Sequence, residues 1–228
     1  MIPFFLRHYE PLVDRIVIFD DRSTDRSVKL LTASCKVEMR RLASGPSSIL
    51  MSMEELSRCW KESRGRADWI IITDIDEHIY HRGLRDYLER CAGDGVTILE
   101  PIGYDMISAD FPVVDSVLAE SIRRGIRPFL LDKKAVFDPN AIEEINYTVG
   151  RHVAQPTGHV TFPAEREVIL LHYKHLGFEY LRRRSKALKD RKTDYDRERE
   201  WGVHYFRSVE EMKFDFEQIL HNAEDVIV

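Results

Sequence analysis

Arg15-Ile-Val-Ile-Phe-Asp-Asp-Arg-Ser-Thr-Asp25 sets four apolar residues in a row, then two acids, then a polar turn. An apolar run that short, bounded by turn residues, reads as a buried strand, and Ser23-Thr-Asp25 offers a helix N-cap to the amphipathic stretch Ser27 to Ala33. The pattern recurs downstream. Lys36 to Leu42 is a second short strand, Gly45-Pro46-Ser-Ser48 a turn, and Ser52-Met-Glu-Glu55 a capping-box pattern for a helix that stops near Gly65. Asp68-Trp-Ile-Ile-Ile-Thr73 is a further buried strand, Gly83 to Cys91 a short helix and Val96 to Glu100 one more strand. Strands and helices alternating at these lengths predict an α/β fold with a mostly parallel central sheet.

Past that point the pattern becomes irregular. Residues 102–165 read as loops, with short strand candidates around Ala135-Val-Phe137, and loops that long tend to carry function. Glu167 to His172 is strand-like again, Leu176 to Lys192 is helical, and Ser208-Val-Glu-Glu211 is a second capping box opening a last helix. A chain of 228 residues fits one domain with an appended tail. The expected division is a catalytic domain over 1–175 and a helical extension over 176–228 packed on the same domain.

A net charge of −5 gives the whole molecule no general attraction to nucleic acid or anionic lipid. Cys35, Cys59 and Cys91 form neither an even set nor a C-x-x-C pair, which argues against a disulfide framework and for a reducing compartment. The apolar start Met1-Ile-Pro-Phe-Phe-Leu6 is too short for a signal-peptide core, and no run approaches the roughly 20 residues that span a bilayer. The expectation is a cytoplasmic protein, with contact at the inner face of the cytoplasmic membrane open through the basic segment 181–200. Most such runs are solvated helix faces. The other readings are docking on acidic lipid and gripping a diphosphate.

Asp20-Asp21 follows the strand ending at Phe19, and Asp74-Ile-Asp-Glu77 follows the strand ending at Thr73. In a parallel sheet those strand ends share one edge, the edge where open α/β folds bind ligands. Carboxylates crowded into one cleft repel one another, and a divalent cation relieves them. Alternating Asp74 and Asp76 suit Mn²⁺ or Mg²⁺, which take carboxylate oxygens and leave positions for substrate phosphates. The bland reading is that Asp20 and Asp21 cap a helix while Asp74 to Glu77 form a solvated turn. A general base for such a site would come from the loop region, where Asp110 and Asp115 flank Pro112.

Ile18-Phe-Asp-Asp-Arg-Ser-Thr-Asp25 resembles the nucleotide-binding motif of family 2 glycosyltransferases, and Asp74-Ile-Asp76 their D-x-D motif. Pro3-Phe-Phe-Leu-Arg-His-Tyr9 and Leu171-His-Tyr-Lys-His-Leu-Gly177 are similar to stretches of a bacterial branch of family-2-like enzymes with the GT-A fold. The resemblance implies a GT-A (Rossmann-like) nucleotide-diphospho-sugar transferase that uses Mn²⁺ or Mg²⁺ and moves a sugar, with inversion, to an acceptor hydroxyl. The acceptor would be a glycan, a lipid-linked molecule or a small molecule, in glycan or cell-surface polysaccharide synthesis. By match to the motifs, Asp20, Asp21 and Ser23 would meet the nucleoside of the donor. Asp74 and Asp76 would hold the metal, with Glu77 the next candidate. A late histidine, His172, would complete the metal site, and His152 is an active-site or acceptor contact.

Two departures from the family go with these expectations. The glutamine-x-x-arginine-tryptophan motif of processive synthases is absent, since Arg197-Glu-Arg-Glu-Trp201 does not match it, and this favours single addition. The strand with which GT-A enzymes begin is not found ahead of the first helix. The favoured explanation is that the start shown is internal to a longer reading frame. The alternative is a non-catalytic nucleotide-sugar or metal-binding module with a truncated donor site.

Overall fold

The computed structural model describes residues 1–226 of the chain, and they form an α/β arrangement with mixed sheets. Helix α1 (Ile2–Tyr9) leads into β1 (Ile16–Asp20), α2 (Ser27–Leu31) and β2 (Val37–Arg41). Helix α3 (Ser48–Arg58), β3 (Ile70–Ile71), β4 (Glu77–Tyr80), α4 (Leu84–Gly93), β5 (Ile98–Leu99) and β6 (Ile102–Ser108) follow. Short elements come next: α5 (Leu118–Ser121), β7 (Arg124–Ile126), β8 (Val136–Phe137), β9 (Ile142–Glu144) and β10 (Thr157–Gly158). The chain ends with β11 (Ile169–Leu176), α6 (Phe178–Asp190), α7 (Asp194–Glu198), α8 (Val209–Asn222) and β12 (Glu224–Asp225).

The central sheet has the order β12-β7-β6-β11-β4, and only its β6–β11 pair is parallel. A three-stranded sheet, β3-β8-β5, is antiparallel throughout, and β1 pairs with β2 in parallel as a separate ribbon. The expectation of a mostly parallel sheet is therefore corrected. Parallel neighbours need a crossover of a dozen or more residues. Here β3 and β4 follow one another across a short turn, whose Glu77 N–H donates to Asp74 O, and enter different sheets.

Two further readings change. The helix expected to open at Ser52 starts earlier, because Ser47 caps it and its hydroxyl accepts from the N–H groups of Ile49 and Leu50. The predicted loop region begins with the longest partner of β11: Ile102–Ser108 is a central strand. Gly103 is there because the backbone carbonyl of Leu131 lies against it, 2.2 Å from where a Cβ would sit. Ser208, by contrast, caps α8 reciprocally with Glu211 as the sequence pattern predicts.

The core lies on both faces of β11. Leu170 joins Ile79, Tyr87 and Leu99 under α4, while Leu171 and Tyr173 pack with Phe4 and Met106. Tyr9 closes the outer edge of β4: its hydroxyl donates to Glu77 O and accepts from Ile79 N–H, both at 2.9 Å. Segment 176–228 is stitched into the same body. Strand β12 extends the central sheet beside β7, and Asp196, buried at the start of α7, accepts a short hydrogen bond from the Ser47 hydroxyl. No helix among the described residues is long and apolar enough to cross a membrane.

Gly103→Ala overpacks the β6–Leu131 contact and lowers the unfolding free energy by about 1–3 kcal/mol. Gly93→Ala, where an added Cβ meets nothing within 4 Å, holds or raises it. Urea unfolding of the two variants beside the parent chain checks the opposite signs.

Candidate functional site

The turn between β3 and β4 carries Asp74, Ile75 and Asp76 and delivers Glu77 to the first position of β4. Glu77 is fully buried. Lys133, itself buried, pairs with one of its oxygens, and Arg151 donates to the other at 3.1 Å. Arg151 also reaches Asp74 at 2.8 Å and the carbonyl of Ile72 at 3.0 Å. It adopts φ +57°, a conformation that costs a non-glycine residue of order 1 kcal/mol or more. Three acceptors on one guanidinium hold it there. Burial alone would raise the Glu77 carboxyl, but Arg151 and Lys133 outweigh it and keep the group ionised below its ordinary range.

Asp76 turns the other way, toward α6. Its Oδ2 accepts from Arg184 at 2.5 Å and stands 3.5 Å from His172 Nε2. The sheet register explains the rest: His172 of β11 lies opposite Asp105 of β6 on one side and Glu77 of β4 on the other. His172 Nδ1 donates to Asp105 Oδ1 at 2.7 Å. Burial would lower this imidazole, yet Asp76 and Asp105 push it up to about 9, so it is a cation at neutral pH. Burial likewise works against the charged form of Asp76, and Arg184 with His172 reverses that, holding the carboxyl well below its usual range. The result is an unbroken row from Arg184 through Asp76 and His172 to Asp105.

Asp20 and Asp21 lie at the end of β1 beside an open cleft of about 590 Å³. Asp20 accepts from Ser23 N–H at 3.2 Å, which shapes the turn, and Asp21 forms a short ion pair with Arg191. Ile75, set between the two acids of the other cluster, lines the same cleft. Helix α6 thus touches both clusters: Arg184 takes Asp76, and Arg191 at the helix C-cap takes Asp21. Those arginines are seven positions apart, about two turns and roughly 10 Å along one helical face. Two of the basic residues of segment 181–200 therefore pair with acids of the two clusters.

The remaining predicted residues lie elsewhere. His152 follows Arg151 on the surface and pairs through Nδ1 with Leu130 O at 2.6 Å; burial lowers its pKa. Asp110 and Asp115 are exposed on the loop after β6, with Arg7 3.8 Å from Asp115. No contact joins either acid to the two carboxylate clusters among the described residues. Glu77, sealed between Lys133 and Arg151, holds the turn and offers no face to the cleft.

The donor set fits a divalent cation in kind. Asp76 Oδ2 and His172 Nε2 face one another near the separation of neighbouring ligands on one ion, and Asp74, 57% exposed, stands at the same turn. It does not fit in present arrangement: among the described residues no group of three or more His, Cys, Asp or Glu side chains is disposed to hold a metal. Arg184, which feels both Asp76 and Asp74, supplies the positive charge there.

Sequence reading missed Asp105, Lys133, Arg151, Arg184 and Arg191. Only Asp105 carried a local signal, as an acid interrupting an apolar strand pattern opposite a histidine. No family model matches the chain, and no curated protein is similar to it.

Removing Lys133 leaves Glu77 buried with half its charge unmet, so Lys133→Met costs about 3–5 kcal/mol of stability. Arg197→Met, which breaks an exposed pair with Asp194, costs under about 1 kcal/mol. Denaturant midpoints of the two variants give the comparison.

Proposed function

We propose that the chain is a glycosyltransferase with the GT-A fold of family 2, which moves a sugar from a nucleotide-diphosphate donor to an acceptor hydroxyl. The observation that carries this reading is an open cleft lined by Asp20 and Asp21 and also by Ile75, the residue between Asp74 and Asp76 of the other acidic cluster. Its volume of about 590 Å³ lies within the range for a nucleotide-sized ligand. The likeness of Ile18-Phe-Asp-Asp-Arg-Ser-Thr-Asp25 and Asp74-Ile-Asp76 to the family motifs supports it.

On this reading Asp20, Asp21 and Ser23 accept hydrogen bonds from the nucleoside, with the apolar wall of Ile18, Leu30 and Leu31 beside it. Asp74 and Asp76, with His172 once its Nε2 has given up its proton, would hold a Mn²⁺ or Mg²⁺ ion, and that ion would supply Lewis-acid charge to the diphosphate oxygens. Asp105 fixes the ring of His172, the carboxylate-to-histidine support that recurs around metal ligands. The acceptor hydroxyl oxygen bonds to the anomeric carbon as the bond to the diphosphate breaks, and the hydroxyl proton passes to a carboxylate, for which Asp110 and Asp115, exposed on the loop after β6, are the candidates. The enzyme adds one sugar at a time, on the cytoplasmic side, to a glycan, a lipid-linked acceptor or a small molecule.

A thermal-shift panel of nucleotide sugars with and without Mn²⁺ tests this. The right donor at about 100 times its Kd stabilises the chain by about 2.7 kcal/mol, or roughly 5–10 °C for a domain of this size. Turnover then falls about 10²–10⁴-fold in Asp110→Asn or Asp115→Asn, whichever is the base, with donor affinity retained. A shift without turnover in any acceptor mixture leaves a binding module, and no shift with any donor contradicts the proposal.

A further inference from the structure

Asp21, Asp74, Asp76 and Glu77 each have a cationic partner, but the partners differ in how firmly they are held. Arg184 is mostly buried and meets a carboxylate that is 7% exposed; breaking that contact would strand a charge away from water. Arg191 is 53% exposed, it lines the open cleft, and its Asp21 partner lies at the cleft wall. A half-exposed pair of that kind is weak and easily exchanged. The buried pair fixes α6, and so fixes where the exposed arginine stands.

The cleft lining is mixed in sign. Asp20, Asp21 and Asp25 are joined there by Arg26, at the N-terminus of α2, and by Arg191 from α6. Carboxylates accept from hydroxyls and ring N–H groups but repel phosphate, whereas guanidinium forks bind phosphate oxygens in pairs. A ligand that satisfies both kinds of group has a hydroxylated body and an anionic end. Two arginines at one mouth suit an end with two phosphates.

We infer that Arg191 is an exchangeable latch: it rests on Asp21 in the ligand-free protein and transfers to the diphosphate of an entering ligand, which Arg26 of the same cleft also grips. The inference rests on the transferase reading and names the residues that take the diphosphate. Asp21 acts as the competitor that the diphosphate displaces. Its release from Arg191 frees the carboxylate to accept a hydroxyl of the same ligand, so one exchange serves both ends of the molecule.

The test is calorimetric titration of the full chain with inorganic pyrophosphate in EDTA, at fixed ionic strength, with orthophosphate as the one-phosphate comparison. Pyrophosphate binds more tightly than orthophosphate, Arg191→Ala weakens it about tenfold, and Asp21→Asn tightens it several-fold because the resident competitor is gone. Unchanged affinity in Arg191→Ala, weaker affinity in Asp21→Asn, equal binding of the two anions, or no pyrophosphate binding overturns the latch. Pyrophosphate has neither base nor sugar, so the two ideas fail separately. Nucleotide-sugar binding that survives while the variant pattern is lost sinks the latch alone. The variant pattern with no response to any nucleotide sugar sinks the transferase reading alone.

Discussion

The contact between Arg184 and Asp76 is the constraint on which the rest of the site depends. A carboxylate with almost no exposure stays ionised only beside a cation, and the cation here comes from a helix 108 residues further along the chain. Docking α6 to supply it also sets Arg191 over Asp21 at the mouth of the cleft. The turn bearing Asp74 and Asp76, the end of β1 and the C-terminal helices are thereby held in one arrangement. Asp196 on the Ser47 hydroxyl and β12 on β7 anchor the same segment at two more points.

Charge is balanced residue by residue along this edge. Glu77 has Lys133 and Arg151, Asp74 has Arg151, Asp76 has Arg184 and His172, and Asp105 has His172. Arg191, which takes Asp21 beside the cleft, is more exposed than any of these partners. The strained backbone of Arg151 belongs to this balance. Its conformation persists because Ile72, Asp74 and Glu77 all require the guanidinium in one place.

How much of this was legible in the sequence follows from the range over which each signal acts. The apolar runs ending in Asp20-Asp21 and Asp74-Ile-Asp76, and the capping box at Ser208, are local patterns, and they located their elements well. Strand pairing is not local: β3 and β4 are joined by a short turn yet enter different sheets, and nothing in Thr73-Asp-Ile-Asp76 announces that switch. Ile102–Ser108 was hidden because Gly103 and Asp105 serve partners at Leu131 and His172, which become neighbours only in the folded sheet. The arginines were hidden for the same reason. A run such as Arg182-Arg-Arg184 looks like a solvated face until the fold shows which of its members turns inward.

The central claim is that α6 is bound to the acidic turn by a buried ion pair and positions the site through it. A double-mutant cycle on Asp76→Asn and Arg184→Met, read by denaturant unfolding, tests it most directly. The account predicts a coupling of about 2–3 kcal/mol, with either single change costing nearly as much as both together. Additive losses, with coupling within about 0.5 kcal/mol of zero, would contradict it.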